Sequence, residues 1–482
     1  MSNDYLEGNY APVRQEHTIT ELAVTGTIPA HLDGRYLRIG PNPIAEVDPE
    51  TYHWFTGDGM VHGVRLRDGR AQWYRNRWVR TPAVAHALGE VARRRAPIRT
   101  GFEMTGANTN VLSHAGRTLA LVEGGITNYE LTEDLDTVGP CDFGGTLRGG
   151  YTAHPHRDPN TGELHAVSYS FGRGNRVQYS VIGVDGRARH TVDVTVTGSP
   201  MMHDFSLTEK HVVFYDLPVT FDPRQAAAIS VPPGMRALSR LVLAALVGRV
   251  RWPEPFMAIA TKGMRGNGNL PYRWNPRYPA RVGVMPRAGG AGDVRWFDVE
   301  PCYVFHPLNA YDEGNAIVLD VVRHPKACDR GLHGPNEGPT TLDRWLVDLA
   351  DGKLRETRLD DHPQEYPRID DRLIGRPHRY GYAVQTFGGH AGDSVLKHDL
   401  RRGQTSTRRL GAHHRVGEFT FVPHAPQGPE DDGVLMGFVY DESTDRSDLT
   451  ILDAASLETI AAIHLPDRVP YGFHGNWAPT AS

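Results

Sequence analysis

Four histidines in this chain stand in matched settings, each next to an apolar or Pro/Gly strand end. They occur in Ala153-His154-Pro155, Met202-His203-Asp204-Phe205, Val304-Phe305-His306-Pro307 and Gly472-Phe473-His474-Gly475. An imidazole buried among apolar residues is costly unless something satisfies its ring nitrogens. Imidazole suits Fe, Zn, Cu and Ni. Four such rings, spread over most of the chain, point to one metal site assembled where several strands converge. The chain holds 24 histidines, so most must do something else. His165, His378, His390 and the pair His413-His414 read as ordinary surface or hydrogen-bonded residues.

Four neutral imidazoles leave the charge of a metal ion uncompensated among its ligands. Carboxylates are then expected one layer out, bonded to the rear ring nitrogens and fixing their tautomers. Three glutamates lie in strand-like, apolar settings that suit such a role. They are Glu123 in Leu121-Val122-Glu123-Gly124-Gly125, Glu365 in Glu365-Tyr366-Pro367-Arg368, and Glu418 in Gly417-Glu418-Phe419-Thr420-Phe421.

The elements that must position these residues read as strands. Turn signals recur at Asp33-Gly34, Arg67-Asp68-Gly69, Asp158-Pro159-Asn160-Thr161-Gly162, Val184-Asp185-Gly186, Asp351-Gly352 and Asp432-Gly433. Between them lie short apolar runs such as Thr118-Leu119-Ala120-Leu121-Val122 and Val434-Leu435-Met436-Gly437-Phe438-Val439. The punctuation predicts an all-β chain built from hairpins, without strand–helix alternation. An all-β chain of 482 residues must manage its sheet edges, and a propeller does so by radial repetition. One segment departs from the pattern. Residues 235–247 read as a helix, with Leu238, Leu241, Val242 and Ala245 on one face and Arg236, Ser239 and Arg240 on another. Pro232-Pro233 before it and Gly248 after it are helix punctuation.

Composition narrows the class. Hydrophobic residues make up 39% and charged residues 23%, an ordinary globular balance. A net charge of -5 with no long basic run gives no electrostatic case for nucleic acid. Three cysteines, Cys141, Cys302 and Cys328, show no CxxC spacing, which argues against a thiolate zinc site and for a reducing compartment. No basic, apolar leader opens the sequence, and no apolar run reaches the ~20 residues of a membrane span. A cytoplasmic location is expected, with the 235–247 helix as a candidate for peripheral attachment to the inner membrane face.

The motifs also carry a family resemblance. The chain resembles the carotenoid cleavage oxygenases from end to end, through Gly34-Arg35-Tyr36-Leu37-Arg38-Ile39-Gly40-Pro41-Asn42-Pro43, Gly57-Asp58-Gly59-Met60-Val61-His62-Gly63 and Thr152-Ala153-His154-Pro155. The match continues in Met202-His203-Asp204-Phe205, Phe305-His306-Pro307-Leu308-Asn309-Ala310 and Glu365-Tyr366-Pro367-Arg368-Ile369. Asp445-Arg446-Ser447-Asp448-Leu449 and Pro470-Tyr471-Gly472-Phe473-His474-Gly475 complete it.

The resemblance implies a single propeller domain over 1–482, seven-bladed, with a dome of loops and helices above an axial site. It implies one Fe(II) per chain on His154, His203, His306 and His474, with Glu123, Glu365 and Glu418 behind three of them. His156 stands where many relatives have Lys and is a rival to His154. The implied reaction adds both atoms of O2 across one C=C bond of a carotenoid or apocarotenoid, giving two carbonyl products. Trp54, Phe55, Trp78 and Phe305 lie beside the family motifs and are candidate walls of an apolar substrate tunnel. Stilbene- and isoeugenol-cleaving relatives commonly carry Lys just before the glutamate that matches Glu123. This chain has Val122 there, which favours an apolar polyene over a phenol. The alternatives are a stilbene- or phenylpropenoid-cleaving oxygenase, an isomerohydrolase on the same iron, and a propeller that only binds partners. No obligate protein partner is expected.

Overall fold

The computed structural model describes residues 3–92, 106–230, 233–252, 270–329, 337–386 and 391–480. His390 lies outside them. Antiparallel meanders follow one another along the chain. Four sheets of four strands begin at Asn110–His114, His156–Arg157, Phe205–Leu207 and Pro307–Glu313. A ten-stranded sheet contains two successive meanders, Gln364–Arg368 to Gln404–Arg409 and Thr420–Pro423 to Thr459–His464, joined through the short strand His414–Val416. With the five-stranded sheet that holds Gly34–Pro41, seven meanders occur among the described residues, beside a two-stranded pair, Val219–Phe221 with Tyr272–Trp274. The order is that of a β-propeller, in which radial repetition leaves only short edges.

The turn residues explain the hairpins. Asp68 and Gly69 both take positive φ, 52° and 66°, between Gly59–Arg67 and Arg70–Trp78. That is the type I′ geometry whose twist matches paired strands. The two ends of the chain are stitched together twice. Gly475–Pro479 pairs with Gly34–Pro41, and Val24–Gly26 pairs with Thr459–His464. Two main-chain ladders thus close the circle between the first and last segments of the chain.

Three α-helices are described: Pro82–Ala87, Pro223–Ser230 and Arg236–Leu246. The last fills most of the expected helical segment; the other two are additions the strand punctuation did not announce. Arg236–Leu246 turns its apolar face outward. Leu238 and Leu241 are 65% and 68% exposed, and Met235, Val242 and Leu246 are exposed beside them. Leu243 and Val247 pack inward against the largest core cluster. From there the chain reaches Trp252, whose amide N–H donates to the Gly172 carbonyl at 2.8 Å.

Candidate metal centre

Each of the four strand-end histidines sits at the start of an edge strand. His154 lies two residues before His156–Arg157, and His203 two residues before Phe205–Leu207. His306 and His474 directly precede Pro307–Glu313 and Gly475–Pro479. These strands are the outermost members of four different sheets, so radial packing brings four sequence-distant edges to one place. The backbone there is close-packed. A Cβ on Gly40 would lie 2.5 Å from the Cα of Gly472, so only glycine at 40 lets the segment leading into His474 approach. The Ile39 N–H then donates to the His474 carbonyl at 3.1 Å.

The rings converge. Their centroids lie 4.4 Å (His154–His203), 5.2 Å (His154–His306), 4.6 Å (His154–His474), 5.1 Å (His203–His306) and 4.8 Å (His306–His474) apart. The nitrogens of His154, His306 and His474 come within 4.8 Å of one another, as do the donor atoms of Glu123, His154 and His203. The Nε2 atoms of His154 and His306 are buried without a hydrogen bond among the described residues, that of His154 facing only the Glu123 carboxylate, at 3.0 Å. Buried nitrogens left in this state fit a metal ion, whose bonds would replace the missing partners.

Carboxylates hold two rings from behind. Glu365 accepts from Nδ1 of His306 at 2.6 Å, and Glu418 from Nδ1 of His474 at 2.9 Å. In both rings this turns Nε2 toward the cluster. Glu123 lies elsewhere. Its Oε1 is 3.0 Å from Nε2 of His154 and 3.4 Å from Nε2 of His203, on the inner side of the rings. The rear nitrogen of His203 is 3.2 Å from the Phe305 carbonyl, and that of His154 is 3.9 Å from Asp204. The carboxylate expected behind a ring thus stands between two rings. His156 turns away from the cluster, with its Nε2 2.8 Å from Asp204.

Electrostatics follow this placement. Burial holds His154 and His203 well below the ordinary imidazole range, so both are neutral donors at pH 7. Burial lowers His474 too, with Glu418 opposing it. His306 is raised, because the charge of Glu365 and the bond to it outweigh burial. Burial pushes the Glu123 carboxyl up. For Glu365, burial is outweighed by His306 and His324, which hold it well below the usual carboxylate range. Arg368 and His474 do the same for Glu418.

Three residues that sequence reasoning passed over complete the surroundings. The Tyr169 hydroxyl donates to Oε2 of Glu123 at 2.8 Å. Arg368 donates through Nε to Oε1 of Glu418 at 2.8 Å. His324 places Nε2 2.5 Å from Oε1 of Glu365. Of these, only His324-Pro325 carried a sequence signal, since it repeats the strand-end His-Pro of His154 and His306. Tyr366, next to Glu365, takes φ 55°, strained for a non-glycine residue. That turn lets its own N–H donate to Oε2 of Glu365 at 2.8 Å.

Two cavities meet at the rings. One, about 190 Å³, is walled mainly by apolar side chains, including Phe55, Val122, Ile126, Phe171, Phe305 and Phe473, and reaches His203, His306 and His474. No lysine or arginine lines it among the described residues. The other, about 460 Å³, is polar, is lined by Arg157, Arg368 and Asp371 among others, and reaches His154, His306 and His474. Of the expected tunnel walls, Phe55, Val122 and Phe305 face the apolar cavity, whereas Trp54 and Trp78 do not. Trp54 is buried behind it, against Tyr5, Tyr52 and Phe473. Trp78 packs on Met60 and Val84 and donates its indole N–H to the Asn42 carbonyl at 2.8 Å. His165 and His378 are hydrogen-bonded away from the rings, to the Tyr179 hydroxyl at 2.7 Å and the Asn309 amide at 3.2 Å.

Imidazoles from four sheet edges, converging between an apolar and a polar cavity, define a buried pocket suited to metal-dependent chemistry on an apolar molecule. Comparison with known proteins gives that class its family. Residues 10–479 match the family described as RPE65, retinal pigment epithelial membrane protein. The chain is 59% identical to a Mycobacterium tuberculosis protein named carotenoid cleavage oxygenase, over 99% of this chain and 98% of that one. It is 29% identical to the isoeugenol monooxygenase of Pseudomonas putida, over 98% and 97%. Among solved structures, the lignostilbene dioxygenase of Pseudomonas brassicacearum superposes with a TM-score of 0.81 at 26% identity, covering 99% of both chains. Cobalt-substituted apocarotenoid oxygenase of Synechocystis gives 0.79 at 27%, covering 97% of both. The chain belongs to this family of carotenoid cleavage oxygenases and is an enzyme of the oxygenase type.

Proposed function

We propose that the protein is a non-haem Fe(II) dioxygenase that cleaves one C=C bond of an apolar carotenoid or apocarotenoid into two carbonyl products. The observation that carries this reading is an apolar cavity without a cationic side chain, ending on three of four converging imidazoles. In it His154, His203, His306 and His474 hold one iron per chain, within a single seven-bladed propeller domain spanning 1–482. Iron, when bound, supplies the redox capacity that lets O2 react with a closed-shell alkene.

The chain's own residues do the positioning. Phe55, Val122, Phe305 and Phe473 exclude water and hold a stiff polyene against the rings, so that bond choice follows depth in the cavity. At about 190 Å³ the described cavity encloses only the reacting part of such a chain, since pockets that take drug-sized ligands measure roughly 300–1,000 Å³. The polar cavity leaves a second approach to His306 and His474 that the polyene does not obstruct. Glu365 and Glu418 orient the rings of His306 and His474.

A stilbene or phenylpropenoid substrate is the second reading, because relatives named for such substrates share the scaffold. The cavity wall favours the first. Val122 offers a phenol no partner at that position, leaving the Tyr272 hydroxyl as the one unbonded buried donor on the wall among the described residues, and a site that hydrogen-bonds its substrate discriminates far more strongly than an apolar wall does. The test is product identification after incubating the anaerobically purified, iron-loaded enzyme with carotenoids, apocarotenals and 4-hydroxystilbenes under ¹⁸O2. Aldehydes from the polyenes, labelled at both new oxygens, are expected. A higher kcat/KM for a hydroxystilbene would overturn the substrate class, and label in only one product would overturn dioxygenation.

Arg236–Leu246 supports attachment to a membrane surface, on the cytoplasmic face. No helix among the described residues is long and apolar enough to cross one. Each leucine buried in lipid contributes about 1.5–3 kcal/mol. Leu238→Ser with Leu241→Ser should therefore weaken liposome binding by ~10²-fold or more while the fold survives. Leu243 is the wrong target because it packs inward. Unchanged liposome binding in the double variant would exclude this helix as the attachment site.

A further inference from the structure

The glutamates around the rings differ in what stands on their far side. Glu418 is shared between His474 and the guanidinium of Arg368, a permanent cation that offsets its charge. Glu365 is shared between His306 and a second histidine, His324, with the Tyr366 N–H as third donor. His324 is 1% exposed and follows the strand Ala316–Arg323. Its backbone is locked to Tyr303 by reciprocal hydrogen bonds of 2.9 and 2.8 Å, and its ring packs edge-on against Phe305. Its Nδ1 is buried with no partner among the described residues. This pattern assigns the tautomer that donates from Nε2 and leaves Nδ1 as a bare acceptor, since a second buried N–H would want an acceptor of its own.

We infer that His324 is a positioning residue for the metal centre. It holds Glu365 against Nδ1 of His306 through an imidazole rather than a permanent cation, so that the carboxylate's charge acts more fully on His306 than that of Glu418, shared with Arg368, acts on His474. The inference rests on the metal reading above and extends it by one residue. A carboxylate behind a ligating histidine raises its basicity and fixes its ring. Arg368 partly cancels that effect at His474, whereas His324 preserves it at His306.

The test is the rate at which a chelator strips Fe(II) or Co(II) from the loaded protein, measured apart from turnover. His324→Leu removes the donor at similar volume and should speed metal loss ~10–100-fold, the range seen when such outer partners are removed. His324→Gln restores an N–H donor and should stay close to wild type. A double-mutant cycle separates positioning from simple packing. In a Glu365→Gln background, His324→Leu should add little, because the residue acts through that carboxylate. Wild-type retention in His324→Leu, equal losses in the Leu and Gln variants, or full additivity with Glu365→Gln would each overturn the role. Should the Leu variant not fold, the Gln variant alone decides, and metal loss as fast as in Glu365→Gln would count against the role. A wild-type protein that takes up no metal would overturn the metal reading and this inference with it.

Discussion

His306→Ala should leave the protein folded, unable to retain iron and inactive. The ring sits 4.8–5.2 Å from three other imidazoles, and its rear nitrogen donates to the Glu365 carboxylate at 2.6 Å. Its removal takes away a donor and also leaves Glu365 short of one bond. An unsatisfied buried charged group costs more than the ~1–3 kcal/mol of a neutral one, so some loss of stability accompanies the loss of metal. His203→Ala removes a ring from the same cluster without disturbing a rear carboxylate, because its Nδ1 faces the Phe305 carbonyl. It should lose metal with less destabilisation. His156→Ala should keep its iron, since that ring pairs with Asp204 outside the cluster. Metal analysis beside thermal melting checks all three. Stoichiometric iron in His306→Ala or His203→Ala would remove these residues from the ligand set, and metal loss in His156→Ala alone would exchange it for His154.

The second large effect concerns the three glutamates. Glu365→Gln and Glu418→Gln preserve shape and one acceptor but abolish the charge that raises ring basicity. Losses of ~10–100-fold in metal affinity or activity are typical of such partners. Glu123→Gln should lower metal affinity for a different reason. Its carboxylate lies between the Nε2 atoms of His154 and His203, where it supplies charge rather than ring orientation. Tyr169 can keep its bond to the amide oxygen, so the side chain should stay in place. Isothermal titration with Co(II), read beside kcat, distinguishes the variants. Wild-type affinity and turnover in all three would refute a role for the carboxylates.

Much of this arrangement is legible in the sequence. Turn residues and strand lengths announce an all-β chain, and His154, His203, His306 and His474 stand out because each lies beside apolar or Pro/Gly residues at a strand end. Pattern fixes which residues share a face, but not which way that face points. Leu241 and Leu243 are both apolar, and only packing shows one exposed and the other turned to the core. The same limit explains Trp54 and Trp78. Both flank motif residues, yet a short turn at Trp54–Thr56 presents Phe55 to the cavity and tucks Trp54 behind it. Glu123 is located by its apolar strand context, but the direction of its carboxylate depends on Tyr169, 46 residues away. Arg368 stays hidden for the same reason, its partner lying 50 residues away, and the His-Pro signal at His324 does not reveal its partner, 41 residues away.

Metal dependence is the point on which the rest turns. Protein stripped with a chelator and purified anaerobically should be titrated with Fe(II), while cleavage of an apocarotenal is followed at each addition. Iron is loaded without air, because air oxidises Fe(II), and in metal-free buffer, because imidazole sites bind Cu(II) and Zn(II) more tightly than Fe(II); O2 is then admitted to start each assay. Activity that rises linearly and saturates at one equivalent of iron per chain is the expected outcome. Full cleavage activity in the stripped protein, or saturation with iron without any cleavage of polyenes, would contradict an iron-dependent polyene oxygenase.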